Sequence, residues 1–302
     1  MAANSQRYAS RRFAKRSQAA EVWHRLSKNK GAMLGLAIVI LIVLIAIFSD
    51  VVLDYDTDVI GQNISERLQH PSLKHPMGTD ATGRDNMYRI FYGARYSLSI
   101  GVISVLIALV IGVAFGLIAG YFGGAVSEVI MRVSDAVASI PSILMAIAIV
   151  SAMGQSMFNL MLAIGLTSVP QFVRITHAST LTVRNQEYVE AARCLGLPEW
   201  KIICFHVLPN CLSPIIVQTT LRVASAIISA SSLSFLGLGV PAPTPEWGGM
   251  LSAGRKYIRT HGYLTLFPGL AIMITVLALN LLGDGLRDAL DPKLKGKNNG
   301  RK

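Results

Sequence analysis

The sequence predicts an all-α membrane protein with six transmembrane helices, and three observations carry that expectation. Charged residues make up only 15% of the 302-residue chain and hydrophobic ones 52%, with a mean hydropathy of +0.49. A soluble globular domain carries about 25% charged residues. Six apolar runs approach the roughly 20 residues that an α-helix needs to cross the hydrocarbon core of a bilayer. Lys and Arg gather at one set of run ends, which orients the helices. The net charge of +11 would suit nucleic acid, but aromatics amount to only 7% and the basic residues sit beside apolar runs, so no basic–aromatic face is legible.

In chain order, residues 1–30 form a basic tail. Within it Val22, Trp23 and Leu26 share a helical face flanked by basic residues, which suits either a short interfacial helix or a basic tail without fixed structure. The first span, Gly31–Ser49, carries no charge. It is too long for the apolar core of a cleaved signal peptide and ends Ile47-Phe48-Ser49-Asp50, with no small-x-small cleavage site, so it is expected to stay as an anchor. Residues 50–96 are a loop rich in Gly and turn residues and then basic; Asn63-Ile64-Ser65 in it fits a glycosylation triplet, a pattern common by chance. Residues 97–286 hold the other five spans, at about 97–119, 133–153, 157–173, 212–239 and 264–283. Pro141 and Pro170 are expected to kink the third and fourth. Asp135 lies at one end of the third, where an interfacial or interhelical ion pair is its expected role. Residues 287–302 are a basic tail, and no internal repeat is legible.

The basic residues divide unevenly. Of the 28 Lys and Arg, nineteen lie in the tail before Gly31, at Arg132, between the fourth and fifth spans, and in the C-terminal tail. The opposite loops, 50–96 and 240–263, hold eight, and the first of these also carries seven acids. The nineteen are expected to face the cytoplasm, with both termini.

The segment between the fourth and fifth spans, "EYVEAARCLGLPEWKIICFHVLPN" at 187–210, reads as a helical hairpin. Glu187 and Glu190 stand in the early turns of a helix over 187–194, where acids suit the helix dipole. Gly196 supplies the left-handed residue that ends a helix without Cβ strain. Pro198 suits the first turn of a second helix, with Trp200, Ile203 and Val207 as its apolar face and Pro209 as its stop. Ala191 and Ala192 leave one face of the first helix flat enough for close approach by another protein; an ordinary cytoplasmic loop is the plainer reading. Cys194, Cys204 and Cys211 match no metal or redox spacing and are expected to be small packing thiols in a reducing compartment.

"EAARCLG", followed by a second helix ending in "LPN" between two late spans, resembles the EAA-loop signature of bacterial ABC importer permeases. "HPMGTDATGRDNMYRIFYGARYSLSIG", "GLIAGYFGG", "SASSLSFLGLG", "PTPEWGGML" and "NLLGDGLRDALDPKLK" look, in that order, like the second permease subunit of dipeptide/oligopeptide importers. The resemblance covers most of the chain. It implies a type I ABC importer permease fold in the cytoplasmic (inner) membrane of a bacterium or archaeon. It also implies that the hairpin is a coupling helix docking in a cleft of an ATPase subunit, with Glu190, Ala191, Ala192 and Gly196 at the motif's own positions. The same architecture serves nickel and glutathione importers. A stand-alone channel or a proton-coupled carrier is the reading from a different class, and such a carrier has no use for the hairpin.

The chain carries no phosphate loop of the form G-x-x-x-x-G-K-[ST]; its only Gly-Lys step, Gly296-Lys297, is followed by Asn298. No hydrolase motif is present either, so no catalytic residue, metal site or bound cofactor is expected. The resemblance implies that ATP and Mg are used by two separate ATPase subunits, with a second related permease as heterodimer partner and an external solute-binding protein that largely selects the solute. In the fifth span Gln218, Arg222, Ser225, Ser229 and Ser232 recur at steps of four and three, which puts them on one helical face. A charge near mid-bilayer generally faces a bundle interior or a watery cavity, and a guanidinium suits the carboxylate of a peptide. Against this pore-facing reading, the serines serve close helix packing and Arg222 pairs with an internal acid or snorkels.

The charge asymmetry predicts labelling. In intact cells Ser5→Cys and Asn298→Cys should be protected from an impermeant thiol reagent, whereas Gln62→Cys should react. Labelling of either terminal position would break the six-span arrangement with both ends inside.

Overall fold

The computed structural model describes residues 18–290, whose regular elements are helices apart from one isolated bridge between Thr79 and Asp85. The basic residues of 1–17 and 291–302 lie outside the described residues. Among those described, five helices are long and apolar enough to cross a membrane, or six if one bent pair counts as a single span.

α1 (Gln18–Leu26) packs Val22 and Leu26 against Ala32, Leu282 and Ala289 and leaves Trp23 more than half exposed. The apolar face expected of these three residues is therefore divided, two toward protein and one away. α2 (Lys30–Val52) starts where the Asn29 side chain accepts from the Ala32 N–H at 3.1 Å. Leu34, Leu41, Ile47 and Phe48 stand out from it, more than half exposed, as side chains with lipid for solvent do.

α3 (Asn86–Phe122) is the pillar of the molecule. Its 37 residues reach about 55 Å at 1.5 Å rise each. Asp85 caps it by accepting from the Met87 N–H at 2.8 Å. The loop expected over 50–96 thus ends at Asp85, and the second span starts well before Ser97, because Ile90, Tyr92 and Ala94 are buried and extend the helix's packed face. α4 (Gly124–Ser139) and α5 (Ser142–Met153) meet at 86°. This corrects the expected kinked third span: Pro141 does not bend one helix but separates two. It lacks an N–H and holds Ile140 in an extended conformation, so the helix stops there. Pro170, by contrast, is absorbed within the continuous α6 (Met157–Val183).

α3 and α6 form the most extensive interhelical contact. Gly112, Gly116 and Gly120 make it possible. A Cβ on them would lie 2.4, 2.6 and 2.5 Å from the Cβ atoms of Phe172, Thr176 and Thr180. Spacing by four residues keeps all three glycines on one face, so at these positions only the α6 side chains stand between the two backbones.

α7 (Glu187–Cys194) and α8 (Glu199–Ile202) form the hairpin; a wide turn at Ile203–Val207 leads directly into α9 (Leu208–Phe235). Pro209 does not stop the second helix as expected. It falls just after the wide turn, where a missing N–H is tolerated as at a helix start, and Asn210 Nδ2 donates to the His206 carbonyl at 2.7 Å. Residues Glu199–Phe235 are thus one helical path. α10 (Trp247–Gly254) and α11 (Tyr263–Leu290) complete the chain.

At the end away from the hairpin, the segment before α3 and the segment after α9 lock together. Asp85 Oδ2 lies 2.7 Å from His75 Nδ1. Arg89 donates to the carbonyls of Val59 at 2.9 Å and Pro243 at 3.3 Å. Trp247 donates its ring N–H to the Ile90 carbonyl at 2.9 Å and its backbone N–H to Ser97 Oγ at 3.1 Å. Glu246 caps α10 by accepting from the N–H groups of Gly248 at 2.8 Å and Gly249 at 2.7 Å. Its burial pushes the carboxyl pKa up, against the pull of these donors.

The α3–α6 contact is testable by single methyl groups. Gly112→Ala should lower stability by about 1–3 kcal/mol through overpacking. Gly269→Ala, whose new methyl meets nothing nearer than Leu251 Cδ1 at 3.8 Å, should have no such effect. Thermal unfolding in detergent separates them, and equal melting would mean the two helices are not tightly apposed.

Candidate functional site

The hairpin is built against the end of α3. Val189, Ala192, Ile202, Val207, Cys211 and Ile215 are buried with Leu117 and Tyr121. Gly196 has φ +73°, and the Gly196 and Leu197 N–H groups close the turn on the carbonyls of Arg193 at 2.9 Å and Ala192 at 3.3 Å. Pro198 stands just before the second helix rather than in its first turn.

Two expectations about faces change. Ala191 and Ala192 do not form one flat outer surface: Ala192 is buried and only Ala191 is exposed, with Glu190. Trp200 is 59% exposed, while Ile202 is buried with Val207, and Ile203 packs against the same cluster. The outer surface therefore carries Leu195, Trp200 and Phe205, all more than half exposed, among charged neighbours. Of the cysteines, Cys211 is a buried packing thiol, but Cys194 and Cys204 are exposed.

Tyr121 anchors this hairpin, and sequence reasoning missed it. Its hydroxyl donates to Glu199 and accepts from Arg193 Nε at 3.3 Å, while the Arg193 guanidinium also lies over its ring at 5.0 Å. The hydrogen bond to Tyr121 raises the Arg193 pKa. Arg184 ties the preceding turn to the same helix end by donating to the Gly120 carbonyl at 2.9 Å. The available signal was the Tyr within "GLIAGYFGG", beside the hairpin's paired charges. One helix over, Asp135 of α4 pairs with Arg174 of α6 at 2.8 Å, each side chain half exposed.

The stripe on α9 resolves into two places. Arg222, Ser225, Ser229 and Ser232 line one cleft of about 120 Å³, together with Ser142 of α5 and Thr167, Ser168 and Gln171 of α6. Gln218 does not join them; it faces a separate cleft with Val217 and Arg287. Ser225 and Ser232 donate to the carbonyls of Leu221 at 3.2 Å and Ile228 at 2.9 Å, four residues back. Their hydrogens are thereby used within the helix, and their lone pairs remain. Arg222 forms no ion pair or hydrogen bond among the described residues, so neither an internal acid nor another acceptor in this chain neutralises it. The Gln171 amide oxygen is buried and unpartnered in the same cleft. Ala226 and Leu233, which line the same cleft, also belong with Ala230 to the apolar core beneath it.

Two family models match this chain. Residues 112–296 match the binding-protein-dependent transport system inner membrane component, and residues 17–71 match the N-terminal TM domain of oligopeptide transport permease C. The chain is 47% identical over 275 residues to the dipeptide transport system permease protein DppC of Alkalihalophilus pseudofirmus, covering 91% of this chain and 90% of that protein. It is 43% identical over 276 residues to the glutathione transport system permease protein GsiD of Pectobacterium atrosepticum, covering 91% of each. Among solved structures, an inward-facing conformation of the MetNI methionine ABC transporter aligns with a TM-score of 0.56 at 17% identity, over 68% of this chain and 97% of that one, a likeness of fold. With a matching model over more than half its length and relatives well above 30% identity, the chain belongs to the binding-protein-dependent transport system inner membrane component family.

Proposed function

We propose that this chain is one of two related permease subunits of an ATP-driven importer, and that it carries dipeptides or oligopeptides across the inner membrane. The observation that carries this reading is the hairpin at 187–210. It is held rigidly to α3 by Tyr121 and Arg184, yet it presents Glu190, Ala191, Leu195 and Trp200 outward. Apolar side chains exposed among charges at the end of a bundle, outside the spans, suit a protein partner. A separate ATPase subunit is the partner that the family's mode of operation requires, two such subunits supplying ATP hydrolysis with Mg while this chain binds no cofactor. An external binding protein delivers the solute. Both termini face the cytoplasm, in keeping with the basic-residue asymmetry.

Relatives named for dipeptides and for glutathione are nearly equally similar. A glutathione importer is therefore the second reading of the substrate. Uptake of labelled dipeptide and labelled glutathione by the assembled complex, each with its cognate binding protein, decides between them.

The coupling assignment is tested at two positions. At Gly196 a new side chain meets nothing within 4 Å, so Gly196→Val acts through the backbone alone. A β-branched residue at φ +73° is strained by about 1–3 kcal/mol, which opens the turn and shifts α7. Glu190→Lys keeps the turn and reverses one charge on the outer face. Both variants should reach the membrane, co-purify poorly with the ATPase subunits, and lose stimulation by loaded binding protein. Normal co-purification and normal stimulated transport in both would make the hairpin an ordinary loop.

The pore assignment is tested in the cleft. Ser225→Cys and Ser229→Cys should react with small hydrophilic thiol reagents in the assembled complex, and Ser229→Leu should slow uptake without preventing assembly. Cysteines inert in every nucleotide state, with leucine tolerated, would reduce the stripe to packing.

A further inference from the structure

The cleft on α9 has a composition that packing does not explain. Its one cation, Arg222, is partly buried within a span and has no counter-ion among the described residues. Its hydroxyls face it as acceptors: Ser225 and Ser232 donate to carbonyls of α9, and Thr167 and Ser168 both donate to the Ile164 carbonyl at 2.9 Å. The buried Gln171 amide oxygen adds one more acceptor without a donor. The cleft therefore combines one strong donor cluster with several unfilled acceptors.

We propose that Arg222 and Gln171 form a recognition point inside the translocation path for the carboxylate end of a peptide. The guanidinium receives the terminal carboxylate, and the Gln171 oxygen, with the serine and threonine lone pairs, receives the adjacent amide N–H. This rests on the pore reading of the cleft given above and narrows the solute it passes.

The chemistry argues for that class. A guanidinium fork matches a carboxylate with two parallel hydrogen bonds, and a peptide end is the solute that also brings N–H donors to the remaining acceptors. A bare divalent metal ion would meet a like charge at Arg222 and only neutral oxygens elsewhere. The cleft is also small, about 120 Å³, which admits a terminal residue and leaves the rest of a longer peptide free. Transit requires binding favourable enough to enter and weak enough to leave. A single cation flanked by neutral acceptors meets that condition better than a fully charged cage.

The test uses the complete complex, purified with its partner subunits and carrying Ser229→Cys as reporter. Labelling by a small hydrophilic thiol reagent is followed with and without millimolar dialanine or dialanine amide. The binding protein is omitted, so that its own selectivity plays no part. Dialanine should slow labelling roughly tenfold through the charge-assisted pair, and dialanine amide should not. Protection, measured against each variant's own labelling rate without peptide, should vanish with Arg222→Gln and persist in weakened form with Arg222→Lys. Equal protection in Arg222→Gln, or equal protection by the amide, overturns the proposal and leaves the pore reading intact. Loss of the second permease from the Arg222→Gln complex also overturns it, since the cation would then serve the subunit interface. A reporter that never reacts overturns the pore reading and this inference together.

Discussion

The close approach of α3 and α6 sets the terms for the rest of the molecule. Within lipid there is no hydrophobic force to press one apolar helix on another, so association depends on contact area and on backbones that come near enough to use it. Three glycines a turn apart remove the α3 side chains at three successive turns of that contact, and Phe172, Thr176 and Thr180 fill the space. What results is a tightly apposed pair, one member of which is 37 residues long. The hairpin is built on one end of it, through Tyr121, and the outer assembly of Asp85, Arg89 and Trp247 on the other.

That arrangement explains where polar groups are tolerated. At the two ends of α3 they are paired: Arg193 and Glu199 meet at Tyr121, and His75 meets Asp85. Glu246, buried though it is, has backbone donors on both oxygens. In the middle of the bundle the rule changes. Arg222 of α9 and the Gln171 oxygen of α6 are left without partners among the described residues, in a cleft that borders the apolar core. An uncompensated charge at that depth is sustained by water, by solute or by another subunit, so the middle of the bundle is where the molecule is unfinished alone.

Much of this was legible in the sequence, because span length, charge asymmetry and the Gly196 turn each follow from local rules. The apolar runs located the spans, although α3 and α6 extend beyond them. Hydropathy stops at the first polar residues, while a helix continues as long as its buried face does. The hairpin and its left-handed glycine were legible for the same reason: a residue at φ +73° with acids before it is a local signal. What was not legible depends on contacts distant in sequence. Pro141 breaks a helix and Pro170 does not, and only their surroundings tell them apart. Ile202 takes the buried place expected of Trp200, while Val207 and Ile203 keep theirs. Gln218 leaves the stripe because one turn of α9 nearer the hairpin already faces α11 and the later part of α6, with no residue of α5. The two motif stretches around Asp85 and Trp247 turned out to be halves of one assembly, which no reading of either alone discloses.

The path from hairpin to cleft is a single helix. Glu199 is held to α3, and the same helical path passes through the wide turn at Ile203–Val207 before reaching Arg222 and Ser229. A wide turn is a local excess of one residue in the hydrogen-bond ladder, found frequently where helices serve a function, and here it sits between the clamped segment and the membrane segment. Two structural routes connect the hairpin with the cleft. One runs through the rigid α3–α6 pair, which carries Thr167 and Gln171. The other runs along α9, which carries Arg222 and the serines. The cleft lies between these routes, so unequal motion of its two walls changes its width. Val207 is fully buried and Ile203 packs against the same cluster, so the wide turn is itself held to the end of α3.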